Sequence, residues 1–174
     1  SEEEVLREAA KTVEKLLDEI RRSLEKVSKR VEDSNRELKE SLDRVRERVR
    51  ELLEELRKNN VDRTLLEDVR RKLERIEERN EEMNDRSRRK LEELRERNRK
   101  ILEDIRRTLE DLKRRRDHMV LHEYVNAAGI TLVDEVDKEN KRALRENEER
   151  VKTLNRENEE MLKRIEEEVR RATK

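Results

Sequence analysis

The sequence has no cysteine, no proline, no tryptophan and no phenylalanine, and it contains one glycine and one tyrosine. Without cysteine there is no disulfide and no thiolate site, so the redox compartment is undetermined. The 48 Lys and Arg residues balance 48 Asp and Glu residues, and zero net charge gives no overall field that would attract nucleic acid or anionic lipid. No apolar run approaches about 20 residues, and no signal or transit segment is recognised. We therefore expect a soluble protein without a targeting address, cytoplasmic if expressed in a cell.

What the chain does contain is charge: 55% of its residues are charged and 30% are hydrophobic. A composition rich in Glu, Lys, Arg and Leu is typical either of disorder or of long periodic helices. Periodicity decides between them, because apolar residues recur in steps of three and four from Leu6 to Leu56, from Leu66 to Leu112, and from Leu121 to Ala172. Such stripes indicate amphipathic helices that must bury one side. The sequence therefore predicts an all-α fold.

Two interruptions divide the pattern. The first is Lys58 to Asp62, where Asn tolerates the conformation that ends a helix and Asp62 is a good N-cap. The second lies at residues 114–117, where cations would close helix 2 and Asp117 would cap helix 3. A rival interpretation continues helix 2 to Ala128 and turns at Gly129, with Thr131 and Asp134 as a capping box.

Polar residues on the apolar stripes favour the turn at 114–117. Folding the chain back there and near residue 60 places Ser34, Ser87 and Asn147 in one layer, and Ser41, Asn80 and Asn155 in another. Ser23 lies level with Asn98, whereas a turn at Gly129 would leave Asn80 without a partner. Buried polar groups must find partners or cost roughly 1–3 kcal/mol each, so we expect connected networks that fix the helix register. Asn140 and Asn158 also lie on the third stripe.

The predicted architecture is an up-down-up antiparallel three-helix bundle forming a single domain over residues 1–174. Its helices span about 2–58, 62–113 and 117–174. The restricted alphabet and the polar layers make this part of the chain similar to de novo designed helical bundles, which implies a synthetic origin and no natural compartment. Apolar stripes poor in Ala and long polar faces suit a monomer, although assembly with a second chain stays open.

One stretch differs from the rest, since it holds the only Gly, the only Tyr and both His residues. Its sequence is RDHMVLHEYVNAAGIT, and we call it the strand segment: Arg116, Asp117, His118, Met119, Val120, Leu121, His122, Glu123, Tyr124, Val125, Asn126, Ala127, Ala128, Gly129, Ile130 and Thr131. Along all sixteen residues it resembles the eleventh β-strand of green fluorescent protein in its split-reporter form. The match includes the substitutions that make that strand a soluble tag, here His122, Tyr124 and Asn126.

This resemblance implies a partner and a site. In the parent fold the strand completes the β-barrel through backbone hydrogen bonds to both neighbours. Glu123 matches the inward carboxylate that assists chromophore maturation. The residues that form the chromophore are absent here, so the chain alone should be dark and would need a fragment carrying the first ten strands.

The strand segment satisfies two periodicities. At the helical period, Leu121, Val125, Ala128 and Leu132 share one side, and at period two Leu121 and Val125 still lie together. The apolar stripe thus passes through the segment without a break, although its helix propensity is poor. We therefore expect a caged strand: the bundle holds the segment helical, and release to the ten-strand fragment gives fluorescence.

The trigger for release stays open. Three adjacent arginines, Arg114, Arg115 and Arg116, form a candidate protease-cleavage loop, and a competing helix is another candidate. The alternative function is a structural or oligomerising bundle in which the strand segment is a passive tag. His118 and His122 have the i, i+4 spacing of a two-His metal face, but no third ligand accompanies them, so we expect no metal, no cofactor and no enzymatic activity.

Overall fold

The chain folds into three long helical arms joined by two short turns. In the computed structural model, which describes residues 1–174 apart from the side chain of Ala128, helix α1 spans Glu2–Lys58 and helix α2 spans Arg63–Arg115. The third arm consists of α3 (His118–Glu123), a π-helical turn (Tyr124–Gly129) and α4 (Ile130–Ala172). The described chain contains no β-strand. The prediction of an all-α, up-down-up three-helix bundle with buried Ser and Asn hydrogen bonds is confirmed.

Both turns use the same backbone motif. Asn60 and Arg116 have positive φ angles of 50° and 53°, the left-handed conformation that terminates helices. In the first turn Val61 N–H donates to the Leu56 carbonyl at 3.2 Å, and in the second Asp117 N–H donates to the Leu112 carbonyl at 3.4 Å. These six-to-one bonds satisfy carbonyls that a helix end would otherwise leave without a partner.

Aspartates begin the next helix after each turn. Asp62 Oδ1 accepts from Thr64 N–H at 3.4 Å, and Asp117 Oδ1 accepts from Val120 N–H at 3.3 Å. The second turn therefore consists of Arg116 and Asp117. Gly129, the rival position for this turn, lies within the third arm and has no positive φ angle.

The contacts divide the chain into two compact units. Unit 1 comprises Ser1–Arg30 and Arg89–Arg145, and unit 2 comprises Val31–Arg88 and Glu146–Lys174. Each unit contains a segment of all three arms and has its own apolar cluster. The prediction of a single domain stays a prediction.

The strand segment belongs to unit 1. The buried apolar cluster of that unit consists of Val13, Leu16, Leu17, Ile20, Ile105, Leu109, Leu112, Leu121, Val125, Val133 and Val136. Unit 2 has a corresponding cluster that includes Val49, Leu56, Val69, Ile76 and Ile165. None of the helices in the described chain combines the length and apolar character needed to cross a bilayer.

Candidate functional site in the third arm

The strand segment is helical along nearly all of its length. Arg116 and Asp117 form the turn, α3 and the π-helical turn contain residues 118–129, and Ile130 and Thr131 open α4. Its backbone N–H and C=O groups are therefore engaged within the arm, whereas strand pairing would require them to point at neighbouring strands. The helical state and the strand state compete for the same backbone groups.

Two side chains of the strand segment are fully inside the bundle. Leu121 is 0% exposed and Val125 is 5% exposed. Both lie in the unit 1 cluster, which combines α1 residues such as Leu17 with α2 residues such as Leu109. Burying a side chain of this size contributes about 1.5–3 kcal/mol relative to leaving it in water. These contacts hold in helical form a sequence with low helix propensity.

Gly129 packs closely against Leu16 of α1. A Cβ atom added at this buried glycine would lie 2.5 Å from Leu16 Cδ1, and no real Cβ atom is that close to another carbon. The missing side chain therefore lets the third arm and α1 pack together at this point.

The side of the arm that faces the core differs from the prediction beyond Val125. Leu132 was expected in the core, yet it is only partly buried, and its neighbour Val133 is buried instead. The expected core position Ala128 has a side chain outside the described part of the structure, and Gly129 is buried. The π-helical turn causes this shift, because its i→i+5 pattern holds more residues per turn than an α-helix.

The opposite side of the strand segment faces solvent. Met119 is 77% exposed, and Val120 and Ile130 are also exposed although they are apolar. Exposed polar groups are satisfied locally: His122 Nε2 lies 3.0 Å from Asn126 Nδ2, and Thr131 Oγ1 donates to the Ala127 carbonyl at 2.8 Å. Glu123, the carboxylate singled out by the resemblance, is exposed.

Tyr124 lies at the edge of the unit 1 cluster. Its ring is partly buried against that cluster, and its hydroxyl is hydrogen-bonded to the side chain of Thr108. Burial raises the pKa of Tyr124, the nearby Asp104 carboxylate adds to this effect, and the Thr108 hydrogen bond opposes it. The phenol therefore stays neutral in the helical state.

The two histidines of the strand segment lie in different surroundings. His118 is partly buried, and its Nε2 lies 3.7 Å from Glu2 Oε2. His122 is exposed and contacts Asn126. Among the residues that the structure describes, no group of three or more His, Asp or Glu side chains is arranged to hold a metal ion.

A connected polar layer lies close to the strand segment in unit 1. Asn98 and Asn140 exchange two side-chain hydrogen bonds of 3.1 and 3.0 Å. Asn140 Nδ2 also donates to Ser23 Oγ at 3.1 Å, and Ser23 Oγ donates to Asp137 Oδ1 at 2.8 Å. The layer links all three arms, because Ser23 belongs to α1, Asn98 to α2 and Asn140 to α4. Sequence reasoning placed Ser23 level with Asn98 but did not identify Asp137 as a member.

Unit 2 contains two simpler pairs. Ser87 Oγ donates to Asn147 Oδ1 at 2.6 Å, and Asn158 Nδ2 donates to Asn80 Oδ1 at 2.7 Å. Asn155, the expected partner of Asn80, is only partly buried, because it lies on the shoulder of α4 whereas Asn158 faces the core. Ser34 and Ser41, expected in these layers, are partly buried and do not join either pair. The predicted meeting of Ser87 and Asn147 is therefore observed without Ser34, whereas Asn80 pairs with Asn158 instead of the predicted Asn155 and Ser41.

We expect Asn140→Ala to lower the free energy of unfolding by about 1–3 kcal/mol, because it leaves the buried amide of Asn98 and the hydroxyl of Ser23 without their shared partner. Replacing Asn98 and Asn140 together by Leu should cost less than the single change, since both amides disappear at once. Urea unfolding followed by circular dichroism measures both. A double variant that is less stable than Asn140→Ala would show that the layer does not act as a connected unit.

The arginine-rich loop is shorter than expected. Arg114 and Arg115 belong to the last turn of α2, so Arg116 alone lies outside the helix. All three side chains are exposed, and Arg115 is paired with Asp111 at 3.4 Å. The accessible peptide bonds of this turn are therefore those on either side of Arg116.

No protein-family model matches the chain. No curated protein and no solved structure matches it. The geometry of the strand segment therefore carries the functional proposal.

Proposed function

We propose that the chain is a designed cage for the strand segment. In the closed state the bundle holds the segment helical, and in an open state the segment is free to pair as the eleventh strand with a separate ten-strand fragment of split green fluorescent protein. The observation that supports this most directly is the burial of Leu121 and Val125 within the unit 1 cluster. A passive tag would have no reason to contribute side chains to the core.

The two states exclude each other by length as well as by hydrogen bonding. As a helix, sixteen residues span roughly 24 Å at about 1.5 Å per residue. As a strand they span roughly 53 Å at about 3.3 Å per residue. The segment therefore cannot enter a barrel while it remains in the third arm.

Caging lowers the apparent affinity for the ten-strand fragment by the fraction of molecules that are open. An opening free energy of about 4–5 kcal/mol would reduce affinity by roughly three decades. Cleavage beside Arg116 or a competing helix would act as a trigger by lowering that free energy. Both act on the docking of the third arm, so the docking contacts offer the most direct test.

Leu17→Ala should accelerate complementation roughly thirtyfold without changing the strand segment. Leu17 is 0% exposed and belongs to the same cluster as Leu121 and Val125. Truncating a buried Leu costs roughly 2–5 kcal/mol. Because Leu17 keeps part of its packing after the segment leaves, the open state bears part of this cost. We therefore expect the free energy of opening to fall by about 2 kcal/mol. The measurement is the rate of fluorescence gain with a fixed excess of purified ten-strand fragment.

Leu56→Ala is the matched control, because Leu56 is also 0% exposed but packs in the cluster of unit 2. Its complementation rate should stay within about threefold of the parent. Equal rates for the Leu17 variant and the parent would contradict the cage. Equal acceleration by both variants would show that release requires unfolding of the whole chain.

The alternative is a structural or oligomerising bundle in which the strand segment serves only for detection. It predicts complementation at the rate of an unhindered peptide and a molecular mass above that of one chain. Size-exclusion chromatography with light scattering measures the mass, and the complementation rate of the parent separates the two functions independently.

A further inference from the structure

The π-helical turn lies where the spacing of the core-facing positions of the third arm departs from that of a regular α-helix. The buried positions Leu121, Val125, Gly129 and Val133 are separated by three successive steps of four. Further along α4 steps of three are mixed with steps of four, as from Val133 to Val136 and on to Asn140.

An uninterrupted α-helix would not bring these four positions to one side. At about 100° per residue, the twelve residues from Leu121 to Val133 rotate the chain about 120° past three full turns, whereas the eleven residues to Leu132 rotate it only about 20° past them. One inserted residue removes this discrepancy. The structure provides it in Tyr124–Gly129, and the exposed Ala127 lies within that turn.

We infer that the π-helical turn is a one-residue insertion that joins the strand segment to the core-facing side of α4, and that it sets how readily the segment opens. The second half of this inference rests on the proposed function, and the first half does not. The insertion lets Gly129 meet Leu16 and brings Val133, rather than Leu132, into the core. It also places the least regular backbone of the third arm inside the segment that has to be released.

The hydrogen bonding of this turn shows why it is a weak point. The π-helical pattern ends where Ile130 N–H donates to the Ala127 carbonyl, a bond that spans only three residues. The turn also contains Asn126 and Gly129, which are poor helix formers. Single π-helical turns are rare in α-helices and occur frequently at functional sites.

Deleting Ala127 tests the insertion. The deletion removes an exposed residue and would convert the turn to a regular α-helix in which Leu121, Val125, Gly129 and Val133 still face the core. Amide hydrogen exchange of residues 121–126, which precede the deletion, should slow by about tenfold or more, because local opening becomes less favourable.

Deleting Glu135 is the matched control. Glu135 is also exposed, but it lies in regular α-helix between Val133 and Val136. Its loss would rotate the preceding residues by about 100° relative to the rest of α4, so exchange of the same amides should accelerate. If this variant fails to fold, as judged by circular dichroism, the Ala127 deletion is compared with the parent alone.

Unchanged or faster exchange after the Ala127 deletion would overturn the inference. Exchange is measured without the ten-strand fragment, so its outcome is independent of complementation. A failure here leaves the proposed function in place, and a failure of complementation leaves the assignment of the insertion in place.

Discussion

A synthetic peptide of residues 116–131 should complement the ten-strand fragment roughly a thousandfold faster than the intact chain at equal concentration. The free peptide has no helical competitor, whereas the intact chain must first remove Leu121 and Val125 from the unit 1 cluster. Burying two such side chains stabilises the closed state by about 3–6 kcal/mol. This range includes the opening free energy of about 4–5 kcal/mol that corresponds to a roughly thousandfold reduction in the open population. The initial rate of fluorescence gain measures the ratio.

Two controls show whether the difference comes from caging. In urea at a concentration that unfolds the bundle but not the ten-strand fragment, the complementation rate of the chain should approach that of the peptide. The complementation rate of a peptide with Leu121→Ala and Val125→Ala shows how much these two side chains contribute to binding in the barrel itself. If the folded chain and the free peptide complement at the same rate, the strand segment is a passive tag and the cage does not exist.

Opening the backbone at Arg116 should accelerate complementation about a hundredfold. In the intact chain the strand segment is covalently continuous with α2 at one end and with the rest of α4 at the other. The strand is roughly 29 Å longer than the helix it replaces. Roughly six to nine flanking residues must therefore unravel as well, on one side or the other. On the α4 side these include Val133 and Val136, and on the α2 side Leu109 and Leu112, all buried.

Exposing two buried apolar side chains costs about 3 kcal/mol or more, equivalent to about a hundredfold in the open population. A break after Arg116 removes this requirement, because the free end can leave while α4 remains docked in unit 2 through the pairs at Asn147 and Asn158. The break is best made by producing residues 1–116 and 117–174 as two chains that assemble, since a trypsin-like protease has many other Lys and Arg targets.

A second split protein, broken between Asn59 and Asn60, is the matched control. Its turn has the same left-handed geometry at Asn60 as the other turn has at Arg116, but the break leaves both ends of the strand segment tied. Its rate should stay near that of the intact chain. Similar acceleration by both breaks would attribute the effect to general destabilisation, and no acceleration by either would show that the tied ends do not limit release.

The helices, the two turns and the burial of Leu121 and Val125 could be predicted from the sequence, because these features depend on local patterns that repeat over many residues. Asn in the first turn and the aspartates that follow both turns act through bonds to residues two to five positions away. Steps of three and four predicted most of the buried apolar positions of α1, α2 and α4.

What the sequence did not predict depends on how the arms meet. To predict that Val133 rather than Leu132 is buried, one must know that Gly129 packs against Leu16. This contact joins residues that are more than a hundred positions apart in the sequence. Asn158 rather than Asn155 joins Asn80 because the side of the helix matters as much as the level along it. Asp137 and Thr108 became partners of Ser23 and Tyr124 through the same long-range packing.

Tyr124 gives the molecule an optical property that needs no second fragment. The sequence contains one tyrosine, no tryptophan and no phenylalanine, so all near-ultraviolet aromatic absorption and circular dichroism arise from one ring. That ring lies inside the segment that has to leave the bundle and is hydrogen-bonded to Thr108 on α2. Its spectrum therefore reports the state of the segment itself, in the unlabelled chain and in the dark.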